Sequence, residues 1–210
     1  MSTDATAPAV KLAVIYYSST GTVTALAKEI NNAAEKAGAE VRLRRTTELA
    51  PQAAIDSNPA WAANVAATAD IPEATPDDMD WADAVIFGTP TRFGNVSSQL
   101  KQFLDQLSGL WAEGKLADKV YSGFTSSATL HGGQESTLLA LYTTFHHFGG
   151  LTAAPGYTHP AKFVDGNPYG TSHTDAKGDN PVDDTARAAA RVQAERVVRI
   201  ARGVKAGLAG

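Results

Sequence analysis

Cysteine is absent from the chain, which excludes disulfides, thiol catalysis and iron–sulfur clusters and makes a cytoplasmic location the natural expectation. Charge of one sign is also scarce. A net charge of -4 over 210 residues supplies neither the basic footprint of a nucleic-acid binder nor the strongly acidic face of a carrier that docks on basic partners. No apolar run approaches the ~18 residues of a membrane span, and the opening MSTDATAPAV lacks the cationic start and apolar centre of a secretory signal. His159, Asp165, His173 and Asp175 lack metal-ligand spacing, so no metal is expected. What is present fits one ordinary domain: residues 11–206, after a flexible segment at 1–10 and before a tail at 207–210.

Strand and helix signals alternate along the chain. KLAVIYY (11–17) reads as a buried strand, followed by Val23, Leu26, Ala27, Ile30 and Ala34 at helical spacing up to a stop at Gly38. AEVRLRR (39–45), DAVIFGTPT (83–91) and KVYSGFTSS (119–127) are further strands, and a fifth starts near Leu151. Val96, Leu100, Phe103, Leu104 and Leu107 share one helix face, residues 134–149 form another helix, and Ala190, Ala194, Val197 and Ala201 mark the stripe of a last one. Residues 46–81 read as an irregular connection rich in Ala and Pro, and 155–181 as a long functional loop. Such alternation implies a parallel sheet covered on both faces, with ligands at the carboxyl ends of its strands.

Three loops at those ends carry the chemistry. SSTGTV (18–23) opens a helix with hydroxyls and a glycine and has neither the triphosphate-binding nor the dinucleotide glycine pattern. Its helix-terminal amides, with Ser18, Thr20 and Thr22, suit a single phosphate held by dipoles, and Gly21 allows close approach. TPTRFGNVSSQ (89–99) offers a rigid turn, the flat face of Phe93, and donors from Arg92 and Asn95 for a planar heterocycle. TSSATLHGGQE (125–135) places paired glycines ahead of a helix, exposing amides to a ring edge. Each loop alone is also explained by helix capping or a solvated turn. Together, on the one face where this architecture binds ligands, they indicate flavin mononucleotide (FMN).

The motifs YYSSTGTV, FGTPTRFGN, FLDQLSGLW, HGGQES and PGYT, spread over residues 11–206, resemble those of the WrbA-type NAD(P)H:quinone oxidoreductases of the flavodoxin-like superfamily. The resemblance implies a three-layer α/β sandwich with a five-stranded parallel sheet of order 2-1-3-4-5, bound FMN, a homotetramer, and two-electron reduction of quinones by NADH or NADPH. It implies phosphate contacts from Ser18, Ser19, Thr20, Gly21, Thr22 and Val23. It places the isoalloxazine against Pro90, Thr91, Arg92, Phe93, Gly94 and Asn95, with Ser126, Ser127, Ala128, Thr129, Leu130 and Gly132 along the other edge. Trp111 and Thr20 fall at the substrate side, Thr20 where some members carry Tyr. His147 matches a histidine that reaches the flavin from a neighbouring subunit and serves there as the catalytic donor, with His146 as the adjacent alternative. The mechanism implied is ping-pong hydride transfer through flavin N5. A one-electron flavodoxin-like carrier, expected to show a stable flavin semiquinone on photoreduction, and a regulatory interaction module, not expected to turn over NADH with benzoquinone, are the alternatives.

Overall fold

Three strands are covered on both faces, and their sequences show it. In the computed structural model, which describes residues 9–208, β1 (Val10–Tyr16), β3 (Ala84–Pro90) and β4 (Val120–Ser127) are buried almost throughout. Their near-continuous apolar runs are what interior parallel strands require. β2 (Ala39–Arg45) lies at an edge and carries Arg42, Arg44 and Arg45. Residues 1–8 of the expected leading segment and 209–210 of the expected tail lie outside the described residues.

The sheet runs β2-β1-β3-β4-β5, all parallel, in the order expected. Its fifth position is split. β5 (Leu151–Thr152) pairs only with Val120 and Tyr121, at the start of β4. The chain then leaves the sheet through α8 (Pro160–Asp165) and returns as β6 (Thr171–Thr174), which pairs with residues Phe124 to Ser127. The segment expected to be one long loop therefore contains a helix and a sixth strand. Register puts Tyr16 beside Gly88, Pro90 beside Ser126, and Ser127 beside Thr174. Four loops, after β1, β3, β4 and β6, consequently open at the carboxyl end of the sheet.

Helices complete the two outer layers. α1 (Thr22–Lys36) and α9 (Asp184–Leu208) pack on one face, where small residues of α9 such as Ala190, Ala194 and Ala201 are fully buried. The other face carries α4 (Pro76–Trp81), α5 (Ser98–Asp105) and α7 (Gln134–His147), and its core centres on Phe87, Tyr121 and Phe145. Phe87 and Tyr121 each stack on Phe145, at 5.7 and 5.0 Å between centroids. α6 (Ser108–Ala112) follows α5.

Residues 46–81 are more ordered than expected. They form α2 (Gln52–Asp56), α3 (Pro59–Ala67) and α4. The cause is local capping: Asn58 accepts from the amides of Ala60 and Trp61 with Pro59 at the first helical position, and Thr75 with Asp78 forms a capping box. Asp78 also accepts from Arg42 and Arg44 at 3.1 and 3.0 Å, fastening α4 to the edge strand.

Candidate functional site

The loop after β1 turns into α1 through Gly21, which sits at φ 102°. That left-handed conformation suits glycine and lets the chain enter the helix abruptly. The first turn of α1 has no side-chain cap and no acidic residue, so amide donors and the positive end of the helix dipole face outward. The Gly21 amide donates to Ser18 Oγ at 3.1 Å. Asn64 of α3 supports the loop from behind, donating to the Ser18 carbonyl at 2.9 Å while its own amide oxygen accepts from Thr24. Buttressing by α3 was not legible as a site feature, because α3 has no buried stripe.

After β3, Arg92 and Asn95 exchange two backbone hydrogen bonds, of 2.8 and 3.0 Å, around Phe93 at φ 54° and Gly94 at φ 75°. A tight turn with both central residues left-handed costs a bulky residue about 1–2 kcal/mol, and this one leaves Phe93 fully exposed at its tip. Strain of this kind gathers where a ligand is bound. Arg92 donates to the Thr91 carbonyl and to Ser19 Oγ, at 3.1 and 3.3 Å, and so ties the second loop to the first. The loop after β4 reaches α7 through Gly133 at φ 91°, another helix start without a side-chain cap. Thr137 of α7 donates to Thr91 Oγ1 at 2.7 Å, linking the third loop's helix to the second loop.

These loops enclose a cleft of about 550 Å³, a size that suits one mononucleotide-sized ligand. The expected residues at 18–20, 22, 23, 90–93, 126–129 and 132 line it. Gly21, Gly94 and Asn95 form its turns without lining it, and Leu130 is 71% exposed nearby. Asn58, Asp175 and Lys177 line it as well. Asp175 follows β6, accepts from Thr22 Oγ1 at 3.0 Å, and caps the short turn Ala176–Gly178 that carries Lys177. The cradle expected to work by dipoles alone thus has an added cation, Lys177, and an added carboxylate, Asp175, in its wall. Only the pairing of β6 with β4 brings Lys177 there, and no local signal at positions 155–181 could have announced it.

His147 and Trp111 are together but elsewhere. α7 spans about 21 Å from the cleft, and its far end abuts the start of β4, where the Gly149 carbonyl accepts from Asp118. There Trp111 Nε1 donates to the His147 carbonyl at 2.9 Å, and Trp111 is 58% exposed. His146 is exposed at the same end.

Beside the cleft, Glu48 gathers five donors: Tyr17 Oη, Trp61 Nε1, Gln99 Nε2 and the amides of Leu49 and Ala50, all at 2.9–3.0 Å. Burial pushes this carboxyl up, but the hydrogen bonds outweigh it and leave the group below its ordinary value of 4.5. Burial, reinforced by the Glu48 carboxylate, holds the Tyr17 phenol above its ordinary range, so it remains a donor. For a depressed carboxyl, the stability it contributes is complete above the unfolded value and is lost as pH falls through the native one. The cluster should therefore loosen only below 4.5. The Trp61 indole N–H resonance is expected to shift in that acid window, and a resonance constant down to global unfolding would contradict the assignment.

Residues 10–162 match the family model described as NADPH-dependent FMN reductase. A NAD(P)H dehydrogenase (quinone) of Deinococcus radiodurans is 50% identical over 196 residues, covering 93% of this chain and 96% of its own. NAD(P)H dehydrogenase (quinone) 3 of Rhizobium meliloti is 40% identical over 206 residues, 94% of each chain. A solved WrbA-like flavodoxin from Agrobacterium tumefaciens superposes with a TM-score of 0.64 at 26% identity, over 93% of this chain and 99% of that one. The flavodoxin of Megasphaera elsdenii, at TM-score 0.56 and 17% identity over 90% of this chain and 98% of that one, shares the fold. Among the described residues no helix is long and apolar enough to cross a membrane.

Proposed function

Since the chain belongs to the NADPH-dependent FMN reductase family, we propose that it binds FMN in the cleft and reduces quinones with NADH or NADPH. One observation carries this reading: an uncapped helix start without acidic residues, entered through Gly21, faces a cleft walled by the two other loops. That donor set fits a phosphate monoester, and the strained turn at Phe93 with the β4 loop fits a flat ring between them. The chemistry that FMN supplies when bound is two-electron transfer between a nicotinamide and a quinone.

The chain's own residues bind, orient and shield. Ser18, Ser19, Thr20, Thr22 and the first amides of α1 would hold the phosphate, Lys177 adding the formal charge. Arg92 fixes the second loop against the first and places a guanidinium at the cleft. Purified protein given FMN is expected to oxidise NADH much faster with benzoquinone than without it. Absence of turnover with retained FMN binding would favour a carrier or an interaction module. Double-reciprocal plots are expected to be parallel, as for two substrates that use one site in turn.

Lys177→Ala is expected to weaken FMN binding about tenfold, the ~1.4 kcal/mol of one charge-assisted contact, and to leave riboflavin affinity unchanged. Equal losses for both flavins, followed by fluorescence quenching, would remove Lys177 from the phosphate site.

A homotetramer completes the proposal. His147 and Trp111 lie at the far end of their own subunit, exposed and mutually positioned, so they contact a flavin only if another subunit presents them. His147 would then donate a hydrogen bond or proton to the quinone oxygen. NAD(P)H is a cytoplasmic metabolite, and we place the protein there.

A further inference from the structure

A second cleft of about 500 Å³ adjoins the first, and Arg92 stands in the walls of both. Tyr17, Trp61, Asn95, Gln99 and Lys101 also contribute to it. Its charged lining is two cations, Arg92 and Lys101, in a chain of net charge -4. Arg92 bonds only to a carbonyl and a hydroxyl. Lys101 pairs with Asp105, but both side chains are more than half exposed, and such a pair exchanges readily for a better anion. Neither acidic group close by is in the lining: Asp105 is the exposed partner of Lys101, and Glu48 is engaged by five donors.

The same carboxylate fixes the aromatic wall. Glu48 holds the Tyr17 hydroxyl and the Trp61 indole N–H at 2.9 Å each, so both rings are set in place before anything binds, which lowers the entropic cost of binding. α3 joins the two clefts: its cap Asn58 lines the first, and Trp61 lines the second. An oriented indole beside a guanidinium with no acidic partner and an ammonium whose ion pair is exposed and exchangeable is complementary to a nucleoside diphosphate. Base stacking on an aromatic contributes about 1–3 kcal/mol, and a guanidinium binds phosphate oxygens in a fork.

We propose that this second cleft docks the adenosine-diphosphate half of the reduced dinucleotide, with Trp61 stacking the base and Arg92 and Lys101 binding the phosphates. The nicotinamide half then passes Arg92 into the first cleft. This inference rests on NAD(P)H being the donor.

The test compares NADH with reduced nicotinamide mononucleotide, which has the same reacting ring and no adenosine, on FMN-loaded enzyme. Trp61→Ala is expected to lower the ratio of KM for the mononucleotide to KM for NADH about tenfold or more, and Trp61→Phe to restore most of it. By calorimetry, ADP-ribose should bind the wild type and bind Trp61→Ala at least about tenfold more weakly, tenfold being 1.4 kcal/mol. Lys101→Glu, an exposed change that spares folding, should also weaken ADP-ribose, with a reduced dependence on salt. An unchanged KM ratio, or ADP-ribose affinity equal in all variants, overturns the assignment. Failure of the wild type to oxidise either donor would instead defeat the proposed function, and ADP-ribose calorimetry would still decide the cleft.

Discussion

Gly133→Ala is expected to raise the dissociation constant for FMN about 100-fold or more, without touching any residue that lines the cleft. Gly133 sits at φ 91°, and its added Cβ would lie 2.7 Å from Gly94 Cα and 3.2 Å from Gly94 N. Both neighbours are backbone, so no side chain can swing away. The left-handed conformation costs alanine about 1–2 kcal/mol, and overpacking adds typically 1–3 kcal/mol. Relief requires the second and third loops to part, and both of those loops line the cleft. At about 1.4 kcal/mol per tenfold, roughly 3 kcal/mol of lost complementarity gives the stated factor. Gly203→Ala is the control: its Cβ meets nothing within 4 Å inside α9, and alanine there should stabilise slightly. Flavin fluorescence titration reads the first effect and thermal unfolding the second. An FMN affinity within about threefold of wild type in Gly133→Ala would show that the loops are not interlocked.

The interlock also marks the limit of what the sequence discloses. β1, β3 and β4 were legible because interior parallel strands need unbroken apolar runs, and the three loops because Gly21, Gly94 and the glycine pair at 132 and 133 punctuate their ends. That Gly133 presses on Gly94 depends on packing across 39 positions of chain, which no window of residues encodes. α3 was missed for a different reason. PAWAANVAA buries no residue and so shows no helical stripe, yet the Asn58–Pro59 start was a readable cap. β6 is only four residues, TSHT, with Thr171 and His173 inward and buried. Polar residues at the core-facing positions of a short strand hide its period, and with it the arrival of Asp175 and Lys177 at the cleft.

β6 itself depends on an ion pair, and breaking that pair from one side is expected to have the largest effect on stability. Lys162 and Asp165 of α8 pair with side chains only 0% and 2% exposed. Lys162 also donates to the Gly170 carbonyl at 3.2 Å, and Asp165 accepts from the Asn167 amide at 3.3 Å. Gly170 leads into β6 so close to β4 that a Cβ would stand 2.2 Å from the Gly123 carbonyl oxygen. Burial pushes the Lys162 ammonium down and the Asp165 carboxyl up, each opposed by its partner. Lys162→Met removes that opposition from Asp165 and should cost about 3–5 kcal/mol near neutral pH. The sign with pH follows: a carboxyl raised in the folded state binds its proton more tightly there, so the penalty grows as pH rises above about 3.9, the unfolded value. Lys162→Met should therefore be nearly tolerated in acid and severe at neutrality. The double variant Lys162→Met, Asp165→Leu buries no charge and should recover most of the loss at every pH. Urea unfolding of the three proteins across that range decides between charge and packing. Equal, pH-independent destabilisation of the single and double variants would mean that α8 is held by the shape of its side chains, and that the pair contributes nothing to seating β6.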